Sequence, residues 1–285
     1  MKFGIQSWIL LSGTVLLCQA PTLAQGIPAW SGKSFELAQM ETSDRERLDA
    51  IQLYNAGVDK LTSGDYQGAI ADFTAALAID GNDADSFYNR GYSYHVLGQY
   101  QAAFDDYGRA VDINPQFADA YGNRCYAAYL LKNYEAALAN CESAIALKDT
   151  NPDFFINRGN AYDDLAVIAT DNGNATQAAD YHAKAIADYD AALALRPDHA
   201  KAYYNRAIAH NRLGNNAAAL ADYSSSLQYN PNFAEAYFNR GITYYNLGDI
   251  NQAIADLNQA AQIFGQQNQT TNRDQALGII KTIQP

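Results

Sequence analysis

The sequence predicts an all-α array of six helix-turn-helix repeats closed by a C-terminal capping helix. Three observations carry that prediction. The first is a period. The pair Asn-Arg begins at Asn89, Asn123, Asn157, Asn205 and Asn239, at spacings of 34, 34, 48 and 34 residues, and a weaker copy, Asn55-Ala56, lies 34 residues earlier. A fixed period in this range marks an architecture in which each unit packs on its neighbours. The second is an alternation of large and small residues at helical spacing. Counting the units from Ala50, Ala84, Ala118, Pro152, Ala200 and Ala234, position 4 is Leu53, Phe87, Tyr121, Phe155, Tyr203 and Tyr237, and position 8 is Gly57, Gly91, Cys125, Gly159, Ala207 and Gly241. Residues four apart share one helix face. The third is punctuation. Turns such as Leu97-Gly98-Gln99 divide each unit, and Pro115, Pro197 and Pro231 at position 32 stop the second helix.

Taken in order, residues 1–24 read as a secretory signal peptide: Lys2 starts it, a short apolar run follows, and cleavage is expected after Ala24. Retention as an anchor, or a lipid anchor on Cys18, are the alternatives. Residues 25–49 form a linker and the start of the first helix, opened by the capping box Ser43-Asp44-Arg45-Glu46. The repeats then occupy 50–83, 84–117, 118–151, 152–199, 200–233 and 234–267. Their second helices carry Ala at position 20 throughout. Position 24 is large in most: Phe73, Tyr107, Cys141, Tyr189, Tyr223 and Leu257. Small residues let two helices approach, and large ones fill the space beside them. The fourth unit holds 14 extra residues, two heptads, so one heptad is expected on each helix, with Asp171-Asn172-Gly173 as the turn. The projecting tip is either a tolerated extension or a contact point through Val167, Ile168 and Tyr181. Residues 268–285 form the cap and tail, with Leu277, Ile279 and Ile280 covering the last apolar face.

Composition narrows function. The formal charge of -12 would repel nucleic-acid phosphates. It serves solubility or a basic partner. No stretch of the mature chain is long and apolar enough to span a membrane. There is no phosphate-binding glycine loop, no nucleophile elbow, and His95, His182, His199 and His210 are scattered without metal-ligand spacing. The expectation is therefore no catalysis, no metal and no cofactor. Cys125 and Cys141 stand at positions 8 and 24 of one unit, on facing helices. They form a disulfide in an oxidising compartment, or remain two small buried thiols.

The pattern closely resembles the tetratricopeptide repeat over residues 50–267. Departures are Lys60, Ala128 and His210 at position 11, the two cysteines of the third unit, and Gly81 and Asp149 where proline is usual. The resemblance implies a right-handed superhelical solenoid with the first helices lining its concave side, and a function of holding proteins or peptides.

On that reading the Asn-Arg pair divides into two roles. Position 6 lies about 200° around the first helix from position 4, pointing away from the partner helix. Asn55, Asn89, Asn123, Asn157, Asn205 and Asn239 would then form a row in a peptide-binding groove, with Tyr88, Tyr92, Tyr126, Tyr129, Tyr204, Phe238 and Tyr245, and with Tyr54 and His95, beside them. Amides suit a peptide backbone, and aromatic rings add contact area at low entropy cost. The other possibility is a structural hydrogen bond between neighbouring helices. For the arginines, pairing with position 23 of the preceding unit gives Arg90–Asp72, Arg124–Asp106, Arg206–Asp188 and Arg240–Asp222, although pairing within a unit matches as many. The functional expectation is an exported, non-catalytic scaffold that binds a protein or extended peptide, a basic one included, in envelope-side assembly or trafficking. The rival is a structural subunit of an oligomer or envelope complex that uses the inserted hairpin and the repeat edges.

Overall fold

A computed structural model describes residues 42–284. The leader, its cleavage site, Cys18 and most of the linker lie outside the described residues. Thirteen helices are seen among those described, and they alternate as the period requires. The first helices of the hairpins are α1 (Thr42–Ser63), α3 (Ala84–Val96), α5 (Ala118–Leu130), α7 (Pro152–Asp171), α9 (Ala200–Arg212) and α11 (Ala234–Leu247). The second helices are α2 (Tyr66–Ile79), α4 (Tyr100–Ile113), α6 (Tyr134–Leu147), α8 (Ala175–Leu195), α10 (Asn216–Tyr229) and α12 (Ile250–Gln266), and α13 (Thr270–Ile283) follows unpaired. Ser43 lies inside α1 rather than ahead of it, so the capping-box reading is corrected.

Each turn between paired helices needs a left-handed residue. Gly64, Gly98, Gly173, Gly214 and Gly248 supply it with φ between 75° and 87°, and Lys132 does so in the third repeat at φ 59°. Glycine adopts this conformation without steric cost. Asp65, Asn133, Asn174 and Asp249 then cap the second helices by accepting from a backbone N–H three residues on. The extension of the fourth hairpin divides as expected: α7 has 20 residues where α5 has 13, and α8 has 21 where α6 has 14.

The chain divides within α7 into two compact units, residues 42–157 and 158–284 of the described chain. In the first, the α1/α2, α3/α4 and α5/α6 hairpins stack, and α3 and α5 also touch the first helix of the hairpin before them. In the second, α8 to α13 pack in sequence, and α9 touches α11.

The core alternates ring and gap. A Cβ added at Gly57 would stand 2.7 Å from the Phe73 ring, at Gly91 3.1 Å from Tyr107, and at Gly159 2.8 Å from Tyr189. Position 8 is small because the position-24 ring of its own hairpin lies across it. The third repeat replaces this pair with a covalent bond: Cys125 and Cys141 are joined, with Cα atoms 5.2 Å apart. At the C-terminal end, Ala276, Ile279 and Ile280 of α13 cover Phe238, Leu257 and Phe264. Leu277 is exposed, so it is not part of the expected cap face.

Candidate interaction surface

The position-6 asparagines do not stand out as a surface row. Asn89, Asn123, Asn157 and Asn239 are buried, Asn205 is half-buried, and Asn55 alone of the six is exposed. Asn89 donates to the Tyr54 hydroxyl at 3.2 Å, Asn123 to Tyr88 at 3.0 Å and Asn239 to Tyr204 at 3.0 Å. Each bond runs from position 6 to position 5 of the preceding repeat. The expectation of free groove amides is corrected in favour of the structural alternative at these three sites. The reason is geometric: away from the partner helix lies the neighbouring first helix, not only solvent.

This pairing accounts for position 5. It is Tyr54, Tyr88 and Tyr204 where an asparagine of the next repeat takes the hydroxyl. It is Phe238 in the last repeat, which has no following Asn to serve. Gly122 and Ile156 offer no hydroxyl; Asn205 donates instead to Asn160 at 2.8 Å, whose oxygen also receives the Tyr189 hydroxyl at 2.9 Å. At Gly122 an added Cβ would be 2.1 Å from the Phe154 ring, so that ring fills the tyrosine's place.

Tyr88, Tyr126, Tyr204 and Phe238 are likewise buried, which corrects their placement on an open groove. Tyr88 packs on Tyr107 and Phe117, and Tyr204 on Tyr223 and Phe233. Tyr92, Tyr129 and Tyr245 are half-buried and keep part of their surface.

The arginines pair within their own hairpin. Arg90 forks onto Asp106 with Nε and Nη2 at 2.7 and 2.8 Å, Arg206 onto Asp222 at 2.8 and 2.6 Å, and Arg240 onto Asp256 at 2.7 and 2.9 Å. Arg158 does the same with Asp188. Asp72, Asp106, Asp188 and Asp222 are thus not the partners expected for Arg90, Arg124, Arg206 and Arg240. The preceding repeat is still reached, through the third nitrogen: Nη1 of Arg90 donates to Thr74, of Arg206 to Asp190 and of Arg240 to Ser224. These three arginines therefore tie their own hairpins together and hook position 25 of the one before. Arg124 has Asn140 and Gly108 at the two acceptor positions, and its guanidinium lies over the Phe104 ring at 4.5 Å. The first repeat, with Ala56 for arginine, uses Lys60 one turn on to reach Asp72 at 2.6 Å. That explains the departure at Lys60.

In the first unit a chain of rings runs past the hairpin turns, with Tyr100, Tyr129 and Tyr134 partly open to a partner and His95 and Tyr126 buried between them. His95 meets Tyr100 at 5.4 Å and Tyr126 at 4.9 Å; Tyr126 stacks with Tyr129 at 6.4 Å, and Tyr129 meets Tyr134 at 6.2 Å. Tyr100, Tyr129 and Tyr134 are half-buried. Tyr100 and Tyr134 were outside the expected groove set. The signal that could have found them is position 17, which is Tyr66, Tyr100 and Tyr134 in the first three repeats.

Burial pushes the His95 imidazole down to about 4, so a neutral ring lies beneath this surface at pH 7. Because the folded value lies below the unfolded one of about 6.5, the unfolded chain takes up the proton first. Stability from this group is complete above about pH 6.5 and is lost as pH falls towards 4. At pH 5.5 the loss should be about 1.4 kcal/mol, and His95→Gln should remove that part of the acid sensitivity in urea denaturation.

Among the described residues no group of three or more His, Cys, Asp or Glu side chains is placed to hold a metal ion. No described helix is long and apolar enough to cross a membrane.

Paired helices in stacked hairpins, locked by recurring Asn–Tyr and Arg–Asp bonds, define a repeat protein of the interaction-module class. Models of the tetratricopeptide repeat match residues 84–117 and 234–266, 61–98 and 209–248, and 170–228, together more than half of the sequence. The chain belongs to the tetratricopeptide repeat family. Its fold is similar to the crystal structure of MamA protein, at 23% identity over 66% of this chain and 94% of that one, TM-score 0.56. It is similar to YrrB, described as a TPR protein with an unusual peptide-binding site, at 20% identity over 73% and 97%, TM-score 0.55. A thermophilic TPR protein in Thermus thermophilus, TTC0263, matches at 21% identity over 68% and 99%, TM-score 0.55. A search of curated proteins finds no match.

Proposed function

We propose that this non-catalytic interaction module binds a protein or extended peptide after export, in an envelope-side assembly or trafficking role. The observation that carries the binding reading is the set of half-buried rings Tyr100, Tyr129 and Tyr134, held in one chain by contacts through the buried His95 and Tyr126. Half-exposed tyrosines offer apolar area with a polar tip and little entropy to lose. Export is supported by the Cys125–Cys141 bond, since disulfides persist in oxidising compartments. Mass analysis of the exported protein should find Gln25 first; a start at Cys18 would refute this cleavage.

The second reading, a structural subunit using the inserted hairpin, rests on Ile168, which is 42% exposed near the tip, and on the stacked Tyr162–Tyr181 pair below it. Pull-downs from the exported compartment separate the two. Tyr129→Ala should weaken capture at least tenfold, while a hairpin trimmed by one heptad per helix keeps it. The reverse result assigns binding to the hairpin and sinks the tyrosine surface.

A further inference from the structure

In the second unit an open cavity of about 590 Å³ lies among the loops that join the repeats. Lys201, in the first turn of α9, lines it with Asn230, Asn232, Phe233, Gln267 and Gln269. Position 2 is acidic in four other repeats, at Asp85, Asp119, Asp153 and Glu235. A cation is disfavoured here on two counts. It stands at the positive end of a helix dipole, and it is half-buried. Three other lysines have a carboxylate in contact: Lys60 with Asp72, Lys148 with Asp119 and Lys184 with Asp180.

We infer that Lys201 is a site of covalent acylation, a reactive amine reached through this cavity by small acyl donors such as acyl phosphates. The Nζ lone pair attacks the acyl carbonyl carbon. A C–N bond forms, the C–O bond to phosphate breaks, phosphate leaves with the electron pair, and the amine proton passes to water. The neutral amine is the nucleophile, and burial favours it over the ammonium. In keeping with this, burial lowers the Lys201 amine to about 8, with Glu235 acting in the opposite sense. The ionisable groups around the cavity are Glu235 on α11, Asp198 and His199 ahead of α9, and Arg196 at the end of α8. The inference is independent of the peptide-binding reading.

Acetyl phosphate is the probe. The full chain is treated at pH 7.5 and the acetylated lysines are followed by peptide mass spectrometry. Lys201 should react at least tenfold faster than Lys132 and Lys281, which are exposed. Its rate should rise with pH and level off near 8. Glu235→Gln removes the carboxylate that holds the ammonium charged, so it should speed Lys201 and leave Lys132 unchanged. Circular dichroism checks that this variant is folded, and Lys201→Arg confirms the assignment. Reaction no faster than at Lys132 and Lys281 would overturn the inference, as would a rate indifferent to Glu235→Gln in a folded variant.

Discussion

Arg206→Ala should lower the stability of the second unit by about 3 kcal/mol, the low end of the range for breaking a buried ion pair. Asp222 is buried and would lose both of its fork bonds. Asp190 on the preceding hairpin would lose its bond as well. The reading is a lowered urea midpoint. A paired substitution, Arg206→Met with Asp222→Leu, leaves no buried charge stranded, Asp190 being exposed, and should recover most of the loss, since apolar replacement of a buried pair is often neutral. Arg206→Lys should recover little, because a single ammonium cannot fork to one carboxylate and reach back to another. Equal losses in the single and paired variants would show that the arginine stem, not the charge arrangement, does the stabilising.

Reduction of Cys125–Cys141 should cost the first unit about 3 kcal/mol in the chain-entropy model for a loop of this length. The bond spans 16 residues and joins α5 to α6 at the place where other repeats set a ring against glycine. The check is urea denaturation with and without reductant, followed by near-ultraviolet circular dichroism. A Cys125→Gly, Cys141→Tyr variant restores the pairing of Gly91 with Tyr107 and should regain part of the lost stability without the cross-link. If reduction leaves the midpoint unchanged, the sulfurs act only as small core residues.

The fold was legible because repetition averages out local ambiguity. One amphipathic hairpin is a weak signal, but the same large and small positions in six units leave one period that fits. Gly91 facing Tyr107 and Gly159 facing Tyr189 are the contacts that the alternation of positions 8 and 24 encodes. The doubled heptad of the fourth unit could be divided between α7 and α8 from its length alone. The partner of each polar group was not legible. Asp72 and Asp106 are both acids at position 23, and sequence matches Arg90 to either; only the helix packing brings Asp106 to the guanidinium and leaves Asp72 to Lys60.

The Asn-Arg pair shows where the division falls. The sequence by itself determined the period, the helical hairpins, their turns and the small-against-large core, since these depend on spacing along the chain and on residue volume. The tertiary structure decided direction. A residue on the far side of a helix faces solvent or a second helix according to how the hairpins stack, and spacing along one helix cannot distinguish the two. Here the stacking turns Asn123 towards Tyr88 and the arginines back into their own hairpins. It leaves Tyr100, Tyr129 and Tyr134 among the rings with surface to offer.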